Sequence, residues 1–323
     1  MRSLALLSLL CACSSLAQDE RTKLTSYQRN AALYFEGSRL DQAMIQCEKG
    51  LELEPDDYKL KAIKGAILLR ASGTASSTDH KRLDEATKVL AEVHDQRSNS
   101  RHEPSVLLYY GQALQKQGQR HLGAAIRAEG DAQRTPDAKV AGELQEQAAA
   151  ERALATADLQ QAWDLFGVLI ERGEILRFAH NHRMQIAGLR KEDAVFTAEA
   201  EQFLLQSQKA KDSVAKQVQD AKSVDFEAER MRTLAELKSE ELEVRSLVAD
   251  FHFDRKNYDS ALTQLNRVLE IDPQRSTDYY NRGRVLLELG KQDEARRDFL
   301  RFLQTTSLPT SADQVAFAHR AIK

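Results

Sequence analysis

Apolar and small side chains recur three to four positions apart along most of the chain. This is the period of an amphipathic helix rather than the alternation of a strand. Between Leu24 and Asp57 the recurring positions are Tyr27, Ala31 and Tyr34, then Ala43, Cys47 and Gly50, with Pro55 closing the stretch. Such a run predicts two antiparallel helices. Small residues let the backbones approach, large ones fill the remaining space, and a proline ends the second helix because it lacks an amide proton and clashes with the preceding turn.

The order returns near the C-terminus. Leu242 to Arg275 carries Ala249, Tyr258, Ala261, Leu265 and Pro273, and the stretch from Ser276 carries Tyr279, Gly283, Leu286, Gly290, Ala295 and Phe299. Two weaker versions lie between. Tyr58 to Val93 has Gly65, Leu68 and Ala86 and is widened by the polar loop ASGTASSTD; Pro104 to Gln133 has Leu107, Gly111, Leu114, Gly118 and Gly123. A lone hairpin of this kind cannot bury its apolar face, so neighbours must stack on it. After Pro309, Ser311 to Gln314 reads as a capping box. Val315, Ala318 and Ile322 then share a face, which predicts a last helix covering the end of the array.

These spacings resemble the tetratricopeptide repeat, a helix–turn–helix unit of about 34 residues. With Leu24, Leu242 and Ser276 as first positions, small residues fall at positions 8 and 20 and prolines at 32 where present. The resemblance implies a non-enzymatic scaffold that binds a protein partner. It also implies a concave groove lined by positions 2, 5, 9, 12 and 13 of each first helix. On the last two units these include Asp250, Phe253, Tyr280, Arg284 and Leu287: three apolar surfaces, a charged anchor and an acidic neighbour. The same face has a second use open to it, packing on the long helical segment or on another repeat. Family members that grip the terminal carboxylate of chaperones carry Lys and Asn at positions 5 and 9 of the first unit; here those positions are Gln28 and Ala32, so that activity is not implied.

From Asp137 to Glu241 there is no proline, and Ala, Glu, Gln, Lys, Leu and Arg dominate. These are strong helix formers. Phe196, Phe203, Ala210, Gln217, Val224 and Met231 fall seven apart, and Ala200, Ser207, Val214, Ala221, Ala228 and Ala235 fall four after each. This is the seam of a coiled coil, although an Ala-rich one buries little area. Three arrangements satisfy it: an intrachain antiparallel hairpin that folds back near His180 to Arg190 onto the Leu144–Leu176 stretch, a parallel dimer between chains, or degenerate repeats over 150–188. The hairpin is expected because its arms are similar in length. Trp163, beside Ala162 and Phe166, is expected between helices.

The first segment reads as an address rather than as fold. Residues 1–17 combine Arg2, an apolar run from Leu4 to Ala12, and Ser15-Leu16-Ala17 before Gln18, the layout of a secretory signal. Leu10-Cys11-Ala12-Cys13 also resembles a bacterial lipobox, with Cys13 as the residue that would be lipidated. Cleavage after Ala17 is the other processing route. Either places the chain outside the cytoplasm, in the periplasm or cell envelope, and the first would hold it on a membrane. Removal or modification of Cys11 and Cys13 leaves Cys47 as a single thiol, expected to be a small buried residue.

The 323 residues carry 46 Lys and Arg against 49 Asp and Glu, a net charge of −3, with the signs mixed. No basic stripe suggests nucleic-acid binding. No phosphate loop, G-x-S-x-G, H-E-x-x-H, G-x-G-x-x-G or C-x-x-C is present, so neither an enzyme, a cofactor nor a metal site is expected. His180 and His182 are expected to be exposed turn residues.

The expected organisation is all-α: a signal at 1–17, tetratricopeptide-like repeats over 24–135, a long coiled-coil-like hairpin over 137–241, and repeats with a capping helix over 242–323. The expected role is an envelope adaptor that holds a protein partner. The alternative is a structural spacer that self-associates through the long segment, as a homodimer.

Overall fold

The computed structural model describes residues 3–73, 79–96, 103–220 and 223–322. Thirteen helices and no strand are present among them. The chain divides into two compact units, Met1–Lys191 and Glu192–Lys323. None of the described helices is long and apolar enough to cross a membrane.

The first unit contains α1 (Ser3–Glu36), α2 (Leu40–Leu53), α3 (Tyr58–Ala71), α4 (His80–Gln96), α5 (Pro104–Arg134), α6 (Ala138–Glu171) and α7 (Leu176–Arg190). Consecutive helices pack as hairpins, and α1, α3, α5 and α7 also touch in series along one side. Local chemistry sets the boundaries. The Asp57 carboxylate caps α3 by accepting from the Leu60 amide at 2.8 Å, and its other oxygen takes the Gln28 side chain at 2.7 Å, tying α1 to the same turn. Pro104 opens α5, where a missing amide proton costs nothing. The small positions sit at the crossings: Ala31, Ala43 and Ala86 have no exposed surface, and neither has Cys47.

The stretch from Pro104 to Gln133 departs from the expected hairpin. It is a single helix of 31 residues running straight through Gly118 and Gly123, and its partner is the 34-residue α6. The logic of small positions survives on this larger scale. A Cβ on Gly111 would lie 2.7 Å from Cζ of Phe166, and one on Gly118 2.7 Å from Cγ of Leu159. Gly118 stands where Gly290 (φ 73°) turns the chain in the last repeat, but here the glycine stays helical and makes room for Leu159 of α6, so the helix continues.

The second unit contains α8 (Asp193–Gln219), α9 (Val224–Asp254), α10 (Tyr258–Ile271), α11 (Ser276–Glu288), α12 (Gln292–Thr305) and α13 (Asp313–Ala321). α8 and the C-terminal part of α9 are antiparallel. Phe196 stacks on Phe251 at 3.8 Å, Asp193 pairs with Arg255 at 2.5 Å, and Lys211 pairs with Glu241. α9 with α10, and α11 with α12, form the two expected hairpins. Ala249, Ala261, Gly283 and Ala295 lie at their crossings, and α13 packs on α12 through buried Val315 and Ala318. The expected capping box is not formed: Ala312 is the cap residue and no side chain bonds to the helix start.

The stretch 137–241 is not one long hairpin. Without any proline it is cut at Gly173 (φ 69°), at Lys191 (φ 61°) and between Gln219 and Ser223, whose hydroxyl accepts from the Phe226 amide at 3.3 Å. α6 packs on α5 and α7, whereas α8 packs on α9. The seven-residue seam is split accordingly. Phe196, Ala200, Phe203 and Ser207 are buried, whereas Val224 is 81% and Met231 52% exposed.

Candidate protein-binding grooves

In the second unit the expected groove residues lie on α9 (Asp250, Phe253) and α11 (Tyr280, Arg284, Leu287), and their environments differ. The Arg284 guanidinium lies 4.4 Å from the Phe253 ring centroid and 6.0 Å from that of Tyr280. Tyr280 is only 8% exposed, with its ring against Phe299, Phe302 and Phe317, so it forms the floor rather than the wall. Leu287 is half-buried over the same cluster. Asp250 is exposed. Desolvation by neighbouring groups raises its pKa above the ordinary carboxylate value, and the charges of Asp278 and Asp254 add to this; Arg284 opposes it. Asp278 is itself buried, held by the Ser246 hydroxyl at 2.8 Å and Arg275 Nε at 2.5 Å. The face therefore offers an aromatic–guanidinium stack beside crowded carboxylates.

The first unit has a longer groove. A cavity of about 380 Å³ between α1, α3 and α5 is lined by Phe35, Ile63, Ala66, Arg70 and Tyr109 among others. A second, of about 570 Å³, lies between α3, α5 and α7 and shares Arg70 and Tyr109 with the first. The two form one trough. Arg70 lies 4.0 Å over the Phe35 ring and donates to the Phe35 carbonyl at 3.2 Å. Lys116 donates to the Leu69 carbonyl, the Ser72 hydroxyl and the Gly73 carbonyl, which closes the C-terminal end of α3; burial lowers its pKa.

A chain of amides crosses the wall of the trough from α5 to α7. Gln112 Nε2 lies 2.8 Å from His182 Nε2, and His182 Nδ1 lies 2.8 Å from Gln115 Oε1. Gln115 then donates to Gln185 at 2.9 Å, and Gln185 to Asn181 at 3.2 Å. The acceptor at Gln115 places the imidazole proton on Nδ1, which leaves Nε2 to accept from Gln112. All four bonds then run in one direction. Burial holds His182 neutral, its pKa lowered to about 4. The expectation of exposed turn histidines is thus corrected: both lie on α7, and His180 is buried at 7% exposure.

The first-unit groove was not assigned from the sequence, although the signal was there. Counting from Leu24, Tyr58 and Pro104, positions 5, 9, 12 and 13 give Gln28, Ala32, Phe35 and Glu36, then Ala62, Ala66, Leu69 and Arg70, then Leu108, Gln112, Gln115 and Lys116. Every one of them lines the trough. His182 and Phe178 come from α7, for which no repeat was read. Trp163 sits partly buried between α6 and α7 under the Arg183 guanidinium at 3.7 Å. Cys47 is buried and burial pushes its thiol up to about 12, so it is inert. Cys13 lies outside the residues whose side chains are described. No cluster among the described residues has metal-ligating geometry.

Comparison with known proteins agrees with the geometry of the second unit. A family model described as a tetratricopeptide repeat matches residues 279–305, so the α11–α12 hairpin matches that repeat by sequence as well as by shape. No curated protein matches the chain. Among solved structures it is similar to a tetratricopeptide repeat protein from Parabacteroides merdae ATCC 43184, at 13% identity over 93% of this chain and 98% of that one, with a TM-score of 0.34. It is also similar to the APC/C hetero-tetramer Cut9–Hcn1, at 13% identity over 91% of this chain and 55% of that one, with a TM-score of 0.37.

Proposed function

We propose that this protein is a non-enzymatic scaffold of the cell envelope that holds a partner polypeptide in its concave grooves. The observation that carries the reading is the continuous trough of the first unit, walled by side chains from the alternate helices α1, α3, α5 and α7 and joined at Arg70 and Tyr109. A trough that combines aromatic area, a flat guanidinium and amides offering both donors and acceptors suits a polypeptide better than a small metabolite. In the second unit Asp250, Phe253, Arg284 and Leu287, over a floor that includes Tyr280, form a second contact face. The envelope location rests on Arg2, the apolar run to Ala12 and the lipobox-like Cys13.

A photo-crosslinking amino acid at Gln112, compared with one at Lys88 on the exposed side of α4, tests the reading in the cells that make the protein. Adducts to a single partner at position 112 and not at 88 support it; equal, diffuse labelling at both overturns it. A second reading, self-association, is favoured by one observation: Val224, Phe226 and Met231 stand exposed on α9.

A further inference from the structure

We infer that the first-unit trough takes an internal, acidic–apolar segment of its partner, with an Asp or Glu side chain set on Arg70. The inference rests on the scaffold reading and deepens it. Among the described residues no carboxylate lies within ion-pair distance of Arg70 or Lys116, whereas Lys61, Lys64, Arg120 and Arg152 of the same unit each have one. The α3–α5–α7 cavity contains both cations and has no acidic residue in its lining, whereas the α1–α3–α5 cavity is lined by Glu36 and Glu103 beside Lys59, so the carboxylate is set on the α7 side of Arg70. Lys116 spends its three protons on the end of α3, so it contributes field rather than contact. Arg70 is different: only the Phe35 carbonyl accepts from it among the described residues, and the Phe35 ring beneath it, 4.0 Å from Cζ, fixes its place. A pre-oriented guanidinium with unused donors matches a carboxylate in bidentate geometry.

The rest of the wall specifies what accompanies the carboxylate. Leu108, Tyr109 and Phe178 offer apolar surface, and Phe178 is 38% exposed. Gln112, Gln115 and Gln185 are locked by the amide chain through His182, and a fixed row of amides presents steady partners to the alternating N–H and C=O groups of an extended backbone. The source of the carboxylate follows from the shape. The trough continues on both sides of Arg70, towards Phe35 and Ile63 in one direction and Phe178 in the other. A chain that ended at Arg70 would leave half of it empty, so a chain passing through fits.

The test uses the full chain and fluorescent peptides of about twelve residues with blocked ends, alternating Glu and Leu, read by anisotropy. The expected result is saturable binding that weakens about tenfold or more when Glu is replaced by Gln, when the protein carries Arg70→Glu, or when salt is raised several-fold. Arg70→Lys keeps the charge but not the fork and is expected to recover part of the affinity, which separates recognition from a folding defect. Circular dichroism of each variant checks the helices. Equal binding of the Gln peptide, or preference for a neutral peptide whose one carboxylate is a free C-terminus, overturns the inference. The Gln112 crosslink separates the two failures. A mapped partner segment that is basic or neutral removes the acidic-segment assignment and leaves the scaffold standing, whereas absence of any groove-specific crosslink removes both.

Discussion

The imidazole of His182 lies parallel to the ring of Phe166, 4.8 Å between centroids and 11° between planes. Phe166 is fully buried and also faces the backbone of Gly111, so one ring joins the α5–α6 crossing to the wall of the trough. The core of the first unit and its binding surface are therefore not independent.

Gly111→Ala is expected to destabilise the protein. Alanine favours a helix over glycine by roughly 0.5–1 kcal/mol. Here, however, the new Cβ would fall 2.7 Å from Phe166 Cζ, and overpacking of that kind costs about 1–3 kcal/mol. The clash wins. Gly167, one residue beyond Phe166, has nothing within 4 Å, so Gly167→Ala is expected to stabilise by up to about 1 kcal/mol. Urea denaturation of the pair checks the sign at each site. Stabilisation by both would show that the close α5–α6 approach is wrong.

Acid should weaken the first unit through His182. Its folded pKa is lowered from 6.5 to about 4, so the unfolded chain binds the extra proton first as pH falls. The stabilisation from neutral His182 is full above pH 6.5 and is lost progressively between 6.5 and 4. At about 1.4 kcal/mol per pKa unit the loss is no more than about 3.5 kcal/mol, and exposure of part of the ring reduces it. Protonation also turns Nε2 into a donor facing Gln112, which breaks the amide chain at its first bond. The unfolding midpoint should fall over this window in the wild type, and the slope should flatten in His182→Gln.

Much of the architecture was readable because the small positions report helix crossings directly. Ala31, Ala43, Ala261 and Ala295 fall on the small positions that the repeat resemblance places at crossings, and each is wholly buried. The breaks in the middle were not readable in the same way. Lys191 and Ile175 adopt left-handed backbone without being glycine, and no proline marks the reversal before Ser223. The seam from Phe196 to Met231 looked continuous because a heptad count does not see a turn that preserves its phase. The inner face of the first unit was within reach, since position 9 of the repeat, which gives Asp250 and Arg284 in the second unit, gives Ala32, Ala66 and Gln112 in the first, and position 13 gives Arg70. His182 was beyond reach because α7 carries no repeat pattern.

The split seam makes a sharp contrast between two substitutions. Phe203 is 1% exposed in the α8–α9 hairpin, so Phe203→Ala should cost about 3–5 kcal/mol within a single chain. Val224 is 81% exposed, and Val224→Glu should change stability by no more than about 0.5 kcal/mol. Sedimentation of both variants against wild type separates core from interface. If Val224→Glu dissociates a dimer while the melt is unchanged, self-association through α9 gains the argument; an unchanged monomer removes it.

Asp250 allows a test of the second-unit face that leaves its core alone. Its carboxyl is raised above the ordinary value by desolvation first and by Asp278 and Asp254 next, so the charged form is disfavoured in the folded state. A raised carboxylate pKa means that the folded protein binds a proton more readily than the unfolded one. The penalty is therefore present at neutral pH and disappears as pH falls through the folded value. Asp250→Asn should raise the melting temperature slightly at pH 7 and lose that advantage in acid. Arg284→Ala should do the opposite to the acidic cluster, removing the cation that partly offsets it, and should also strip the guanidinium from Phe253. Tyr280 is unsuitable for the same purpose because its ring packs on Phe299 and Phe302, and truncation there would report on packing rather than on the face. Melting curves of the two exposed variants at pH 7 and pH 4 decide the matter: a pH-independent effect of Asp250→Asn would mean that its neighbours do not crowd it.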